Sequence, residues 1–244
     1  MAESPTHVGG GGRFLTTRWS LVLAAGDTQH PDSSEALATL CERYWYPVYA
    51  FARRRGRDAD RAQDLVQGFF QHLLEKKTLG SADPDRGRFR SFLLGALKYY
   101  LADQAAHEAA QKRGGGATLH SLDLEDAESR YRLETDVSEN PDRVFARQWA
   151  LELLGHARQR LHDEIEASAQ PERGRRLAAF LTDPGGERYR EVAEELGMSE
   201  SAVKVAVHRL RRRFGALLRE EVAQTVADEG RVDEELRFLF SSLE

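Results

Sequence analysis

The stretch Tyr189–Phe214 reads YREVAEELGMSESAVKVAVHRLRRRF, and its spacing decides the fold of this part of the chain. Apolar residues recur at three- and four-residue steps up to Gly197, which predicts a helix and then a turn, because glycine readily adopts the left-handed conformation that ends helices. Ser199 is a good N-cap for a second helix. The apolar stripe of that second helix consists of Val203, Val207, Leu210 and Phe214.

The other side of this second helix is basic, with no acidic residue from Lys204 to Arg219. Such a helix fits the major groove of DNA, about 12 Å wide, with its first residues at base edges and its arginines at phosphates. A solvated basic helix on an ordinary bundle is the alternative. The order of helix, glycine turn and capping serine favours a DNA-binding helix-turn-helix. Its predicted DNA-facing residues are Ser201, Lys204, Val205, His208, Arg211 and Arg212.

The composition of the whole chain excludes several classes of protein. Its 244 residues carry a formal net charge of −5, which argues against nonspecific coating of nucleic acid but permits local basic faces. A single cysteine, Cys41, excludes a disulfide framework and is expected to be a small core residue. Without an apolar stretch of about 18 residues, no membrane span is predicted. The single cysteine makes a cytoplasmic location the expectation.

Helical periodicity runs through nearly every ordered segment, so the sequence predicts an all-α fold with two small helical domains. A break at Arg113–Gly116 and the polar stretch after it predict a flexible linker, and Asn140-Pro141 restarts a helix. The predicted boundaries are a disordered arm at 1–16, a first domain at 17–113, a linker at 114–140, a helix-turn-helix domain at 141–224 and a C-terminal tail helix at 225–244.

In the first domain, basic residues alternate with aromatic ones around Phe89. Cations that track phosphates, beside rings that offer stacking faces, are the components of a groove for single-stranded DNA. The apolar members of this segment could equally form core, and Leu93 and Leu97 are expected to do so. For Tyr99 and Tyr100 the groove and the core remain open alternatives.

Two further segments carry a family resemblance when they are taken together with the helix-turn-helix. DLVQGFFQHLL (Asp64–Leu74) resembles a helix that docks on the RNA polymerase clamp, and FRSFLLGALKYYLAD (Phe89–Asp103) resembles a helix that reads the −10 promoter element. The chain thus resembles a bacterial RNA polymerase sigma factor of the sigma-70 family, extracytoplasmic-function type, over about residues 33–112 and 141–222. The first domain is similar to sigma region 2 and the second to region 4.

This resemblance implies partners and roles. The implied partners are core RNA polymerase, through its clamp and flap regions, promoter DNA, and an anti-sigma factor or a kinase. No membrane partner, cofactor, metal or catalytic residue is implied, since the polymerase performs the chemistry. Implied polymerase contacts are Asp64, Leu65, Gln67 and Phe70. The loop Leu79–Gly87 would hold an extruded −10 base, and the residues along the opened −10 strand would be Arg86, Arg88, Arg90, Lys98 and Tyr99. The −35 duplex would face Ser201, Lys204, Val205, His208, Arg211 and Arg212.

The sequence departs from the family pattern at the docking helix. Gln63 and Gly68 stand where acidic residues are common, so weaker docking is expected, and glutamate at both positions is predicted to raise polymerase affinity.

Two rival interpretations come from other functional classes. A stand-alone helix-turn-helix regulator with an N-terminal sensing domain would not need the docking helix. An enzyme with a metal site could use His72 and Glu75, three residues apart on one helix, but the chain lacks HExxH, CxxC and a glycine-rich phosphate loop.

Overall fold

The computed structural model describes residues 33–75, 88–110, 128–131, 139–182, 188–226 and 228–244. These residues form helices and connecting turns without any strand, which confirms the all-α prediction. The helices are α1 (Ser33–Arg54), α2 (Ala59–Glu75), α3 (Phe89–Ala110), α4 (Pro141–Glu166), α5 (Pro171–Ala178), α6 (Arg188–Glu195), α7 (Glu200–Ala223) and α8 (Val232–Ser241). The arm at 1–16, the loop Leu79–Gly87 and Arg86 lie outside the described residues.

Capping residues start the two longest helices of the second half where the sequence predicts them. The Asn140 side chain accepts a hydrogen bond of 2.9 Å from the Asp142 backbone N–H, and Pro141 occupies the first turn of α4. The Ser199 hydroxyl oxygen accepts a bond of 3.2 Å from the Ala202 N–H at the start of α7. Each cap satisfies a backbone donor that the first turn of a helix leaves unpaired.

The main hydrophobic core continues from the first helices into the second half of the chain. Trp149 of α4 is fully buried and stacks on Tyr44 of α1 with ring centroids 4.4 Å apart. Its ring also lies 5.8 Å from the ring of Phe89 of α3. Further core residues come from the end of α7, from the segment after it and from α8: Leu217, Leu218, Val222, Val226, Val232 and Leu239. The predicted division into two domains remains a prediction, and α4 shares its core with α1–α3.

A second, smaller core belongs to the helix-turn-helix. It contains Leu177, Phe180, Val192, Ala193, Val203 and Val207. The first half of α7 therefore packs in this smaller core, while the second half packs in the main core. Because one continuous helix joins both cores, the exposed face of α7 has a fixed orientation with respect to the main core.

Part of the predicted linker packs against α1. Residues 128–131 form a helical turn, and the Glu128 carboxylate accepts bonds of 2.9 and 2.8 Å from the Arg53 guanidinium. The Tyr49 hydroxyl donates to the same carboxylate at 2.7 Å. Burial, together with the neighbouring Glu128 carboxylate, raises the pKa of Tyr49, so the hydroxyl keeps its proton and remains a donor. The polar composition of this segment does not reveal that it is held in place.

Cys41 packs partly buried against the main core, as the sequence predicts. Burial, with a smaller effect of the Glu42 carboxylate, raises the pKa of its thiol to about 12. Since the thiolate is the reactive species, Cys41 is a protonated, weakly reactive thiol at neutral pH.

Candidate nucleic-acid interface

The turn between α6 and α7 has the geometry that the sequence predicts. Gly197 has a φ of 62°, a left-handed conformation that favours glycine. The Met198 N–H donates a bond of 2.8 Å to the Ala193 carbonyl and closes the end of α6. The Met198 side chain packs against the small core between the two helices. Ser199 then caps α7, so the two helices are joined by a four-residue turn.

Apolar packing fixes the orientation of α7. Val203 and Val207 are buried in the small core, and Leu210 and Phe214 continue the same stripe with partial burial. The Phe180 ring stacks on the Tyr189 ring of α6 at 4.4 Å between centroids. Because this stripe faces inward, the residues between its members face solvent.

All six predicted DNA-facing residues lie on that solvent-facing side: Ser201, Lys204, Val205, His208, Arg211 and Arg212. Steps of three or four residues lead from Ser201 to Lys204 or Val205, then to His208, and on to Arg211 or Arg212, which places them in one solvent-facing line along the helix. Val205 is 52 % exposed, an unusual position for an apolar side chain and one from which it could contact a thymine methyl group. Arg211 also donates a bond of 2.9 Å to the Phe180 carbonyl, so its side chain is partly engaged in holding the turn before α6.

Lys204 has an exchangeable partner on its own helix. Its ammonium lies 2.6 Å from the Glu200 carboxylate one turn earlier, and this contact lowers the pKa of Glu200. Both side chains are exposed, and exposed pairs of this kind contribute little to stability. The lysine can therefore leave Glu200 for a phosphate or a base edge at small cost.

The comparison with protein families falls on this unit. Residues 178–214 match the family model of Sigma-70, region 4.

This match supports the interpretation of the chain as a member of the sigma-70 family. A region 4 segment indicates promoter −35 recognition in transcription initiation. No curated protein and no solved structure matches the chain.

The arginines of α7, the second helix of the region 4 match, face two different sides of the helix. Arg213 is directed towards α4, where its Nε lies 2.8 Å from the Glu164 carboxylate, and it also pairs with Glu220 at 3.4 Å. Hydrogen bonding by Arg213 lowers the pKa of Glu164. Arg212 points to solvent on the candidate DNA face. The predicted DNA-facing set likewise contains Arg212 and not Arg213, since a helical projection places the two residues about 100° apart.

The first-half residues assigned to the opened −10 strand have different environments. Tyr99 is 67 % exposed, whereas Tyr100 is buried in the core. Arg88 and Arg90 lie at the start of α3, and both form ion pairs with glutamates of α8. Lys98 lies 2.6 Å from the Asp142 carboxylate at the start of α4. Within the described residues, each predicted −10 cation is thus paired with an acidic residue of the second half.

The predicted polymerase contacts are only partly on the surface. Asp64 is exposed and Gln67 is partly exposed, but Leu65 and Phe70 are buried in the main core. Asp64 borders an open cleft whose lining consists of Arg57, Arg61, Asp64, Leu65, Tyr100 and Gln104. A contact between polymerase and α2 would therefore involve the polar residues of this helix and the rim of the cleft. The sequence did not reveal this cleft.

Gly68 of α2 lies at a position where the packing leaves little room for a side chain. A Cβ atom built on Gly68 would overlap the hydroxyl oxygen of Tyr100, while the ring carbon that carries that hydroxyl lies 3.5 Å away. Tyr100 itself is held by Phe69 and His72, whose rings lie 5.8 and 5.1 Å from its ring. The structure thus gives glycine at position 68 a role in packing, and a glutamate there would displace Tyr100.

We expect Gly68→Ala to destabilise the protein, although alanine is the better helix former. The helical gain of about 1 kcal/mol is set against an overlap that costs about 1–3 kcal/mol, which leaves a net loss of stability of up to about 2 kcal/mol. In a Tyr100→Phe background the hydroxyl is absent, and Gly68→Ala should become neutral or stabilising. Urea unfolding of the four proteins in this double-mutant cycle measures the effect. An equal effect of Gly68→Ala in both backgrounds would refute the packing explanation.

Within the described residues, no group of three His, Cys, Asp or Glu side chains is arranged to hold a metal ion. His72 packs against the Tyr100 ring, whereas the Glu75 side chain of the alternative metal pair lies outside the described side chains. None of the described helices has the length and apolar character needed to cross a membrane.

Proposed function

We propose that this chain is a sigma factor of the extracytoplasmic-function type, which binds core RNA polymerase and directs it to specific promoters. In this function the region 4 helix α7 reads the −35 duplex, and the exposed side of α3 contacts the opened −10 strand. The polymerase supplies the phosphoryl-transfer chemistry, so the chain needs no catalytic residue or cofactor. Candidate regulatory partners are a kinase that acts near the docking helix α2 and an anti-sigma factor that covers both halves of the chain.

The observation that carries the proposal is the solvent-facing line on α7. Its polar and basic members stand on a helix whose opposite stripe is buried, so they are presented to a ligand without any rearrangement of the fold. The position of Ser201, Lys204 and Val205 in the first turns of the helix matches the part that contacts base edges in helix-turn-helix complexes. Arg212, two turns later, is placed for a phosphate.

The direct test is transcription with purified core polymerase on a genomic library, followed by mapping of the RNA start sites. A sigma factor will produce start sites that core polymerase alone does not use. If the chain protects duplex DNA without polymerase and leaves the start sites unchanged, it is a stand-alone helix-turn-helix regulator. If it neither joins polymerase nor protects DNA, the proposed function is wrong.

Two neighbouring arginines provide a matched pair of variants for promoter binding. We expect Arg212→Gln to weaken binding of the polymerase–sigma complex to all its promoters and to reduce the slope of log affinity against log salt by about 1. Arg213→Gln changes the net charge equally but removes an ion pair with Glu164 on the other side of the helix. Its promoter affinity should stay close to that of the unchanged chain. Equal losses in the two variants would contradict the assignment of the DNA-facing side.

A further inference from the structure

The tail helix α8 covers the start of α3. The Arg88 Nη2 lies 2.6 Å from the Glu234 carboxylate, and its Nε lies 2.8 Å from Glu235. The Arg90 Nε donates a bond of 3.0 Å to the other oxygen of Glu235. The ring of Phe238, one turn later on α8, lies 4.1 Å from the Arg90 guanidinium carbon. Arg88, directly before α3, and Arg90, in its first turn, are thus held by two carboxylates and one aromatic ring of the tail.

The backbone of α3 is engaged by the same part of the chain. The N–H of Phe89, the first residue of α3, donates a bond of 2.9 Å to the carbonyl of Thr225, just after α7. The first N–H groups of a helix have no partner within that helix and attract anions. Thr225 occupies one of these donors, and the carboxylates of α8 lie on the arginines beside it.

These contacts have the chemistry of a bound single strand. A nucleotide presents a negatively charged phosphate to a cation and a flat base to a guanidinium or a ring. Glu234 and Glu235 provide the negative charge, and Phe238 provides the flat face. Arg88 and Arg90, the residues contacted, are among those that the family resemblance assigns to the opened −10 strand.

We propose that α8 is an internal competitor for single-stranded promoter DNA, and that it must leave Arg88 and Arg90 before these arginines can bind the strand. This inference rests on the proposed function. Lys98 is engaged in the same way by Asp142, so the second half of the chain covers the candidate −10 surface at two separate places. In the state described by the structure, α8 covers Arg88 and Arg90, and we call this state closed.

The outer contacts of α8 are suited to exchange. Glu234 has 61 % of its side chain exposed and Phe238 is 40 % exposed, so neither is locked in the core. An ion pair at such an exposed position is weak and is screened by salt. The strand gains contacts as the tail loses them, because both use the same guanidinium groups. Binding of the strand therefore shifts the equilibrium towards molecules in which α8 is released.

The test compares the full chain with the double variant Glu234→Gln/Phe238→Ala, which weakens the outer contacts and keeps the buried Glu235. A fluorescein-labelled single-stranded oligonucleotide carrying the −10 sequence of a mapped promoter serves as the probe. We expect the double variant to bind it about tenfold more tightly, because a smaller fraction of molecules is closed. Glu244→Gln changes an exposed charge near α8 without touching these arginines, and its affinity should stay unchanged.

Hydrogen exchange of the unaltered chain gives a second measurement that does not depend on a variant. Addition of the oligonucleotide should raise the exchange of the backbone amides of α8. Exchange that stays constant at saturating oligonucleotide overturns the proposal. So does an affinity of the double variant that equals that of Glu244→Gln, including the case in which neither binds. Start-site mapping with core polymerase is done first and supplies the promoter for the probe, and its result shows whether the proposed function still stands when this inference fails.

Discussion

Trp149→Ala should lower the free energy of unfolding by about 3–5 kcal/mol, the usual cost of truncating a large buried aromatic residue. Trp149 has no exposed surface, stacks on Tyr44 and contacts the rings of Phe89 and Phe145 at 5.8 and 6.0 Å. Its removal opens a cavity at the place where α1, α3 and α4 meet. A loss of this size is a large fraction of the stability of an ordinary domain.

The shape of the unfolding curve is as informative as its midpoint. Since α4 shares the main core with α1–α3, we expect one cooperative transition followed by circular dichroism, shifted as a whole by Trp149→Ala. Val205→Ala, at an exposed site of α7, should change stability by no more than about 0.5 kcal/mol and serves as the control. Two transitions, with only one shifted, would show that the halves unfold independently as separate domains.

Glu235→Ala should also lower the free energy of unfolding by about 3–5 kcal/mol, because it leaves a buried cation without its carboxylate. Arg90 is 6 % exposed and Glu235 is 0 % exposed. Glu235 lies between the two guanidinium groups, so one truncation removes a contact from both Arg88 and Arg90.

A paired replacement separates the cost of an orphaned charge from the value of the ion pair. In Arg90→Leu/Glu235→Leu neither charge is buried, and most of the lost stability should return, since buried ion pairs are often replaceable by apolar side chains of similar volume. Thermal and urea unfolding of both variants measures this. If the paired replacement is as unstable as Glu235→Ala, the loss comes from packing of α8 and not from the unpaired guanidinium.

The local elements were predictable because their determinants are close in sequence. The Gly197 turn, the Ser199 and Asn140 caps and the buried stripe of α7 each depend on residues within a few positions of one another. Helical periodicity likewise fixed the all-α class. The solvent-facing line on α7 followed from the same periodicity, because residues off a buried stripe must face outward.

The environments of the predicted site residues in the first half were not predictable in the same way. Arg90 and Glu235 are 145 positions apart, and no local pattern indicates which acid a given arginine will meet. The apolar stripe of an amphipathic helix also does not show whether it faces a partner or the protein's own core. Leu65 and Phe70 were assigned to a polymerase contact on such a stripe, and the structure buries both. Both cases depend on tertiary contacts, which periodicity does not encode.

The shared core has a consequence for the biosynthesis of the protein. Tyr44, Phe69 and Leu97 are synthesised long before Leu217, Val222 and Leu239, yet all belong to one hydrophobic cluster. On the ribosome, the early helices emerge with an apolar surface that their eventual neighbours cannot yet cover. Contacts between such distant positions also slow folding, because a long loop must close before they form. The nascent chain is thus prone to aggregation until its last helices are made, and chaperones that shield apolar segments should bind it during translation.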